Sequence, residues 1–146
     1  MNLSPHFTLE ELTFSDTAVR LGINNNAEDI IILANLHDLA AGLEQIRAAL
    51  NAPLYINSGY RCLLLNGAVK GSITSAHMQG WAADFTCRLF GAPEEIVKEI
   101  VKAGIKFDQC IQEGTWVHVS FNPMLRGVVM TAHFDRFGNA TYSQGA

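Results

Sequence analysis

The segment Ser75-Ala76-His77-Met78-Gln79-Gly80-Trp81-Ala82-Ala83-Asp84, with Trp116-Val117-His118 well downstream, is the strongest constraint on how this chain folds. Gly80 permits a sharp turn after His77, and Trp81 to Phe85 reads as a short apolar strand carrying Asp84. The carboxylate can then swing back toward the imidazole. His118 lies in a second apolar strand pattern, Trp116 to Phe121, where a buried imidazole needs a strong partner to offset its desolvation. A fold that pairs these strands brings two imidazoles and one carboxylate to one point. That donor set suits zinc (Zn2+), and three protein ligands with a fourth position left for water is the pattern of a catalytic site. No cysteine belongs to the set, which argues against a closed structural site.

The rest of the chain has the means to build such a fold. Its 146 residues, 49% hydrophobic and 16% charged, suffice for one core and are too apolar for disorder, so residues 1–146 are expected to form a single zinc-binding domain. Thr8 with Glu11 forms a capping-box pattern that opens a short helix. Ile30, Leu33, Leu36, Leu39, Leu43, Ile46 and Leu50 recur at helical spacing and predict one long amphipathic helix over about 27–50, with His37 on its polar side. A strand is expected at Leu54 to Asn57, a helical turn at Cys62 to Asn66, and a loop from Gly67 to Thr74. A second helix opens at Pro93, favoured by Glu94 and Glu95, and stops before Gly104. Phe107 to Gln112 and Trp116 to Phe121 flank the turn Glu113-Gly114-Thr115, Gly127 to Phe134 gives a third strand, and the small polar residues after Gly138 are expected to fray. This predicts an α+β fold with helices packed on a mostly antiparallel sheet.

The formal charge of -4 gives no footing for nucleic acid, and no apolar run reaches membrane-spanning length. The first residues lack the layout of a signal peptide. Cys62, Cys87 and Cys110 cannot all pair and lie in apolar contexts, so they read as buried free thiols. A monomer made in the cytoplasm is expected.

The pattern Ser-x-His-x-x-Gly-x-Ala-x-Asp followed by Trp-x-His resembles the LAS-type zinc peptidases, which include zinc D-Ala-D-Ala carboxypeptidases and phage L-Ala-D-Glu endopeptidases. The resemblance extends upstream to Ile56-Asn57-Ser58-Gly59-Tyr60-Arg61 and through Asn66 and Gly71-Ser72. It implies a small domain of the hedgehog/DD-peptidase type, with zinc held by His77, Asp84 and His118. It also implies that Arg61 recognises a substrate carboxylate or polarises a carbonyl, and that Ser75 hydrogen-bonds substrate or fixes its loop. Gln79 and Trp116 would line the pocket. In that family an acidic residue shortly before the last histidine is the base, often at the position of Thr115, which cannot serve. Glu113, slightly earlier, is the candidate here, and Asp108 is the fallback. The implied substrate is a peptidoglycan stem peptide, as for a cell-wall carboxypeptidase or a phage endolysin. The alternative is a non-catalytic zinc-binding recognition module of the same fold, as in the hedgehog signalling domain.

Overall fold

In a computed structural model describing residues 1–146, Thr8 caps helix α1 (Leu9–Thr13) by accepting a hydrogen bond from the Glu11 backbone. Helix α2 (Asp16–Leu21) follows, bracketed by the Ser15 cap and by Gly22 in the left-handed conformation. Helix α3 (Ile30–Leu50) starts slightly later than expected because the Asp29 carboxylate caps it, accepting from Ile31 and Ile32. Leu36, Leu39, Leu43, Ile46 and Leu50 are buried as the periodicity requires, whereas Ile30, in the first turn, is left exposed. Strand β1 (Tyr55–Ser58), helix α4 (Leu63–Ala68) and strand β2 (Ala82–Thr86) come next, with a 3-10 turn at Ala76–Gln79 before β2. Helix α5 (Pro93–Lys102) buries Ile96, Val97 and Ile100. Strands β3 (Gln109–Gln112), β4 (Val117–Ser120), β5 (Val128–Phe134) and β6 (Ala140–Gln144) complete the chain.

These strands form one sheet in the order β1-β2-β4-β3-β5-β6, antiparallel except where β5 runs parallel to β3. The fold is α+β with a mostly antiparallel sheet, as expected. Alternation along the strands gives the sheet two different faces. Phe85, Cys110, Val117 and Val119 join Leu36, Leu39, Leu43, Ile96 and Ile100 in the core. Asp84 and His118 point to the opposite face, directly across from one another on β2 and β4.

Two expectations are corrected. The residues after Gly138 do not fray: β6 pairs with β5 from Met130↔Gln144 to Phe134↔Ala140. The Asp135 carboxylate holds the connecting turn by accepting from the backbone of Phe137 and Asn139. The three cysteines are free, and burial pushes the Cys110 thiol up to about 12, but Cys62 is only partly buried. Its sulfur caps α4 instead, accepting from Leu65 at 3.4 Å. No helix is long and apolar enough to cross a membrane.

Candidate metal centre

Three segments bring the donors together. Asp84 and His118 face each other because β2 and β4 pair in that register, with Ser58 of β1 on the other side of Asp84. His77 arrives from the 3-10 turn, which Ser75 caps and Gly80 closes at φ 76. A side chain at Gly80 would crowd the Ile32 carbonyl and the Leu36 side chain, so this glycine lets the turn lie directly on α3. The donor atoms of His77, Asp84 and His118 all lie within 4.8 Å of one another.

The local hydrogen bonding fits a cation. His77 Nδ1 stands 2.7 Å from the Gly59 carbonyl oxygen, which can only accept, so Nδ1 carries the proton and Nε2 presents its lone pair. That Nε2 lies 3.3 Å from Asp84 Oδ1, and His118 Nδ1 lies 2.9 Å from the same oxygen. A bare imidazole nitrogen and a carboxylate oxygen repel unless a proton or a metal ion lies between them. Ligands bonded to a tetrahedral zinc at about 2.0–2.1 Å stand roughly 3.3 Å apart, the spacing seen for His77 and Asp84. The Gly59 carbonyl is the kind of outer partner that orients a metal-bound histidine. Burial alone would raise the Asp84 carboxyl, but the two imidazoles outweigh it and hold the group well below the ordinary carboxylate range.

Gly59 makes a sharp prediction. Its Cα lies so close to the Leu12 carbonyl that an added Cβ would overlap backbone atoms, which cannot swing away as a side chain can. Gly59→Ala is therefore expected to shift the carbonyl that orients His77 and to weaken metal binding by about 10–100-fold, read by competition with a chromogenic chelator. Unchanged affinity would show that this carbonyl does not set the histidine.

Arg61 and Glu113 share the electrostatic environment of the triad. Burial destabilises the Arg61 charge, and the carboxylates of Asp84 and Glu113 partly restore it. Burial raises the Glu113 carboxyl above its usual range, with His118 and Arg61 pulling down and Asp84 pushing up. Glu113 sits at the β3–β4 turn, where its N–H donates to the Trp116 carbonyl at 2.9 Å. Arg61 Nη2 donates to Ser75 Oγ at 3.2 Å, and the buried Arg61 Nε has no partner. Ser75 Oγ also accepts from the His77 backbone, so it ties Arg61 to the His77 turn. Trp116 is half-buried with an unpaired indole N–H, and unpaired buried groups of this kind recur at functional sites. Gln79 is exposed, and its carbonyl accepts from Asn35 on α3.

The other titratable candidates lie elsewhere. Asp108, the fallback base, is fully buried and committed to Arg126, which reaches its two oxygens at 2.9 and 2.8 Å. His133 points to the far face of the sheet, where it pairs with Ser143 at 2.8 Å. His37 is exposed on α3. One positioning residue escaped the sequence reading. Buried Asn25 donates to the carbonyls of Thr13 and Tyr60 at 2.8 and 2.9 Å and accepts from the Cys62 N–H at 2.8 Å, gripping the backbone on both sides of Arg61. Its place in an Asn-rich turn gave no sign of this.

Residues 5–120 match the family model described as Peptidase M15, a span that contains the triad, Arg61 and Glu113. No curated protein matches the chain.

Proposed function

The chain belongs to the peptidase M15 family, and on that premise we propose that it is a zinc-dependent hydrolase of peptidoglycan stem peptides, cutting them as a D-Ala-D-Ala carboxypeptidase or as an L-Ala-D-Glu endopeptidase. The observation that supports this reading is the compact His77/Asp84/His118 donor set within the family match, with Arg61 tied to the His77 turn through Ser75 and a half-buried carboxylate, Glu113, at the turn that leads into the strand of His118. A recognition module needs the triad; it has no use for a half-buried carboxylate beside it.

His77, Asp84 and His118 would hold the ion. Zinc supplies Lewis acidity that makes water a better nucleophile and a carbonyl a better electrophile. Arg61 is tied to Ser75 on one side only, so its remaining N–H groups are available to a substrate carboxylate or a carbonyl oxygen. Glu113, with its proton affinity raised, receives the proton of the attacking water and passes it to the departing amine nitrogen as the C–N bond breaks. Trp116 accepts the Glu113 N–H through its carbonyl and leaves its indole N–H unpaired, and Gln79 lies exposed on the His77 turn.

The test is product analysis. The zinc-loaded protein is incubated with purified peptidoglycan and with defined stem peptides, and the products are identified by mass spectrometry. Free D-Ala identifies the carboxypeptidase, and new termini after L-Ala identify the endopeptidase. The absence of any zinc-dependent product from any of these substrates would leave zinc-dependent recognition as the better reading.

A further inference from the structure

Strands β5 and β6 lie beyond the residues that match the family, and the mechanism above gives them no part. Their register nevertheless carries them onto the face of the metal centre. Gln112 pairs with Thr131 at the end of the parallel β3/β5 ladder, so continuing that register by one residue brings Glu113 level with Ala132. Ala132 in turn pairs with Tyr142 on β6. Trp116, Glu113, Ala132 and Tyr142 therefore form one row across the sheet, next to the row that contains His118, Ile111 and Met130. Side chains in such a row share a face.

The small residue in this row matters. Two strand spacings, roughly 9–10 Å, separate Tyr142 from Glu113, and only the methyl group of Ala132 stands between them. Ala132 is 6% exposed. The hairpin also leans toward the Glu113 turn at its other end, where a Cβ on Gly114 would stand 3.3 Å from the Phe134 ring. Tyr142 itself is half exposed and its hydroxyl makes no hydrogen bond within the chain. Burial, together with the negative charges of Glu113 and Asp84, raises the phenol's pKa, which keeps its proton in place at neutral pH.

We propose that Tyr142 is a further catalytic residue of this site, its hydroxyl donating a hydrogen bond to the scissile carbonyl oxygen as negative charge develops there. When water adds to the carbonyl carbon, the π electrons move to that oxygen. Tyr142 keeps its proton throughout, and Glu113 alone carries the water's proton to the leaving nitrogen, so the step balances. The proposal rests on the peptidase reading and adds to it a donor on the side of Glu113 away from Trp116.

Tyr142→Phe removes the hydroxyl and leaves the ring. With zinc content and circular dichroism unchanged, kcat on the cleaved stem peptide is expected to fall on the order of 10²-fold with KM nearly constant, as for loss of one oxyanion donor. A phosphinate analogue of the same peptide, tetrahedral and anionic like the transition state, should bind weaker by the same factor. Thr141→Val, on the opposite face of β6, should leave both values at the wild-type level. Equal kcat in wild type and Tyr142→Phe would overturn the assignment, as would a lower kcat with unchanged phosphinate affinity. A wild-type protein that neither cleaves stem peptides nor binds the phosphinate would instead overturn the peptidase reading, and the tyrosine assignment with it.

Discussion

Asp84→Ala is expected to strip the protein of both stoichiometric zinc and measurable hydrolysis while leaving its fold intact. The carboxylate is the one anionic donor of the triad and the hub of its geometry, with the same oxygen 3.3 Å from His77 and 2.9 Å from His118. Without it two neutral imidazoles remain, with no anionic ligand to offset a dication's charge at a site where Asp84 is only 15% exposed. Loss of the ion removes several kcal/mol of transition-state stabilisation, about 10³-fold or more in rate. The strand itself should survive, because β2 is paired on both sides through its backbone. Metal analysis after gel filtration, circular dichroism and peptide turnover check the three parts. An Asp84→Ala protein that still holds one zinc and turns over substrate would refute the ligand assignment.

How much of this was readable in the sequence depended on whether the controlling interaction was local. The triad was legible because His77, Gly80 and Asp84 lie within one short segment and His118 stands in an apolar strand where a histidine is conspicuous. Helix α3 was legible because its buried leucines repeat with the period of the helix, although the exposed Ile30 fell within the same pattern. Strand β6 was not legible. Every one of its residues is exposed, so no apolar alternation marks it, and its existence depends on the register of β5. The parallel placement of β5 beside β3 was hidden for the same reason, since strand order is set by packing rather than by local propensity. Asn25 illustrates a third limit: the amide bridges segments far apart in sequence, and its local surroundings describe only a turn. Cys62 reads as an apolar residue until its helix cap is seen.

Glu113→Gln is expected to lower kcat by about 10²–10⁴-fold with zinc content unchanged, the range for loss of a positioned proton-transfer group. The amide keeps the size of the side chain and can still hydrogen-bond, but it cannot accept the water's proton at neutral pH. The turn should hold, since it is secured by the Glu113 N–H to the Trp116 carbonyl and by Gly114 at φ 80, neither of which the substitution touches. The zinc should stay because Glu113 lies outside the compact donor set. This combination separates the readings that the triad alone leaves open. In a recognition module Glu113 carries no proton, and its replacement would change neither metal content nor any residual turnover. In a peptidase that uses Asp108 instead, Glu113→Gln would be nearly silent, which the Arg126 ion pair makes hard to reconcile with a free base. Thr115, where the family often has its acid, faces away from the row that contains Glu113. Thr115 lines an outer groove with Tyr55, Thr86 and Arg88, whereas Glu113 continues the row that runs from Trp116 to Ala132. Full activity in Glu113→Gln would therefore remove the base from the mechanism, while loss of turnover with retained zinc would rule out binding as the sole function of this centre.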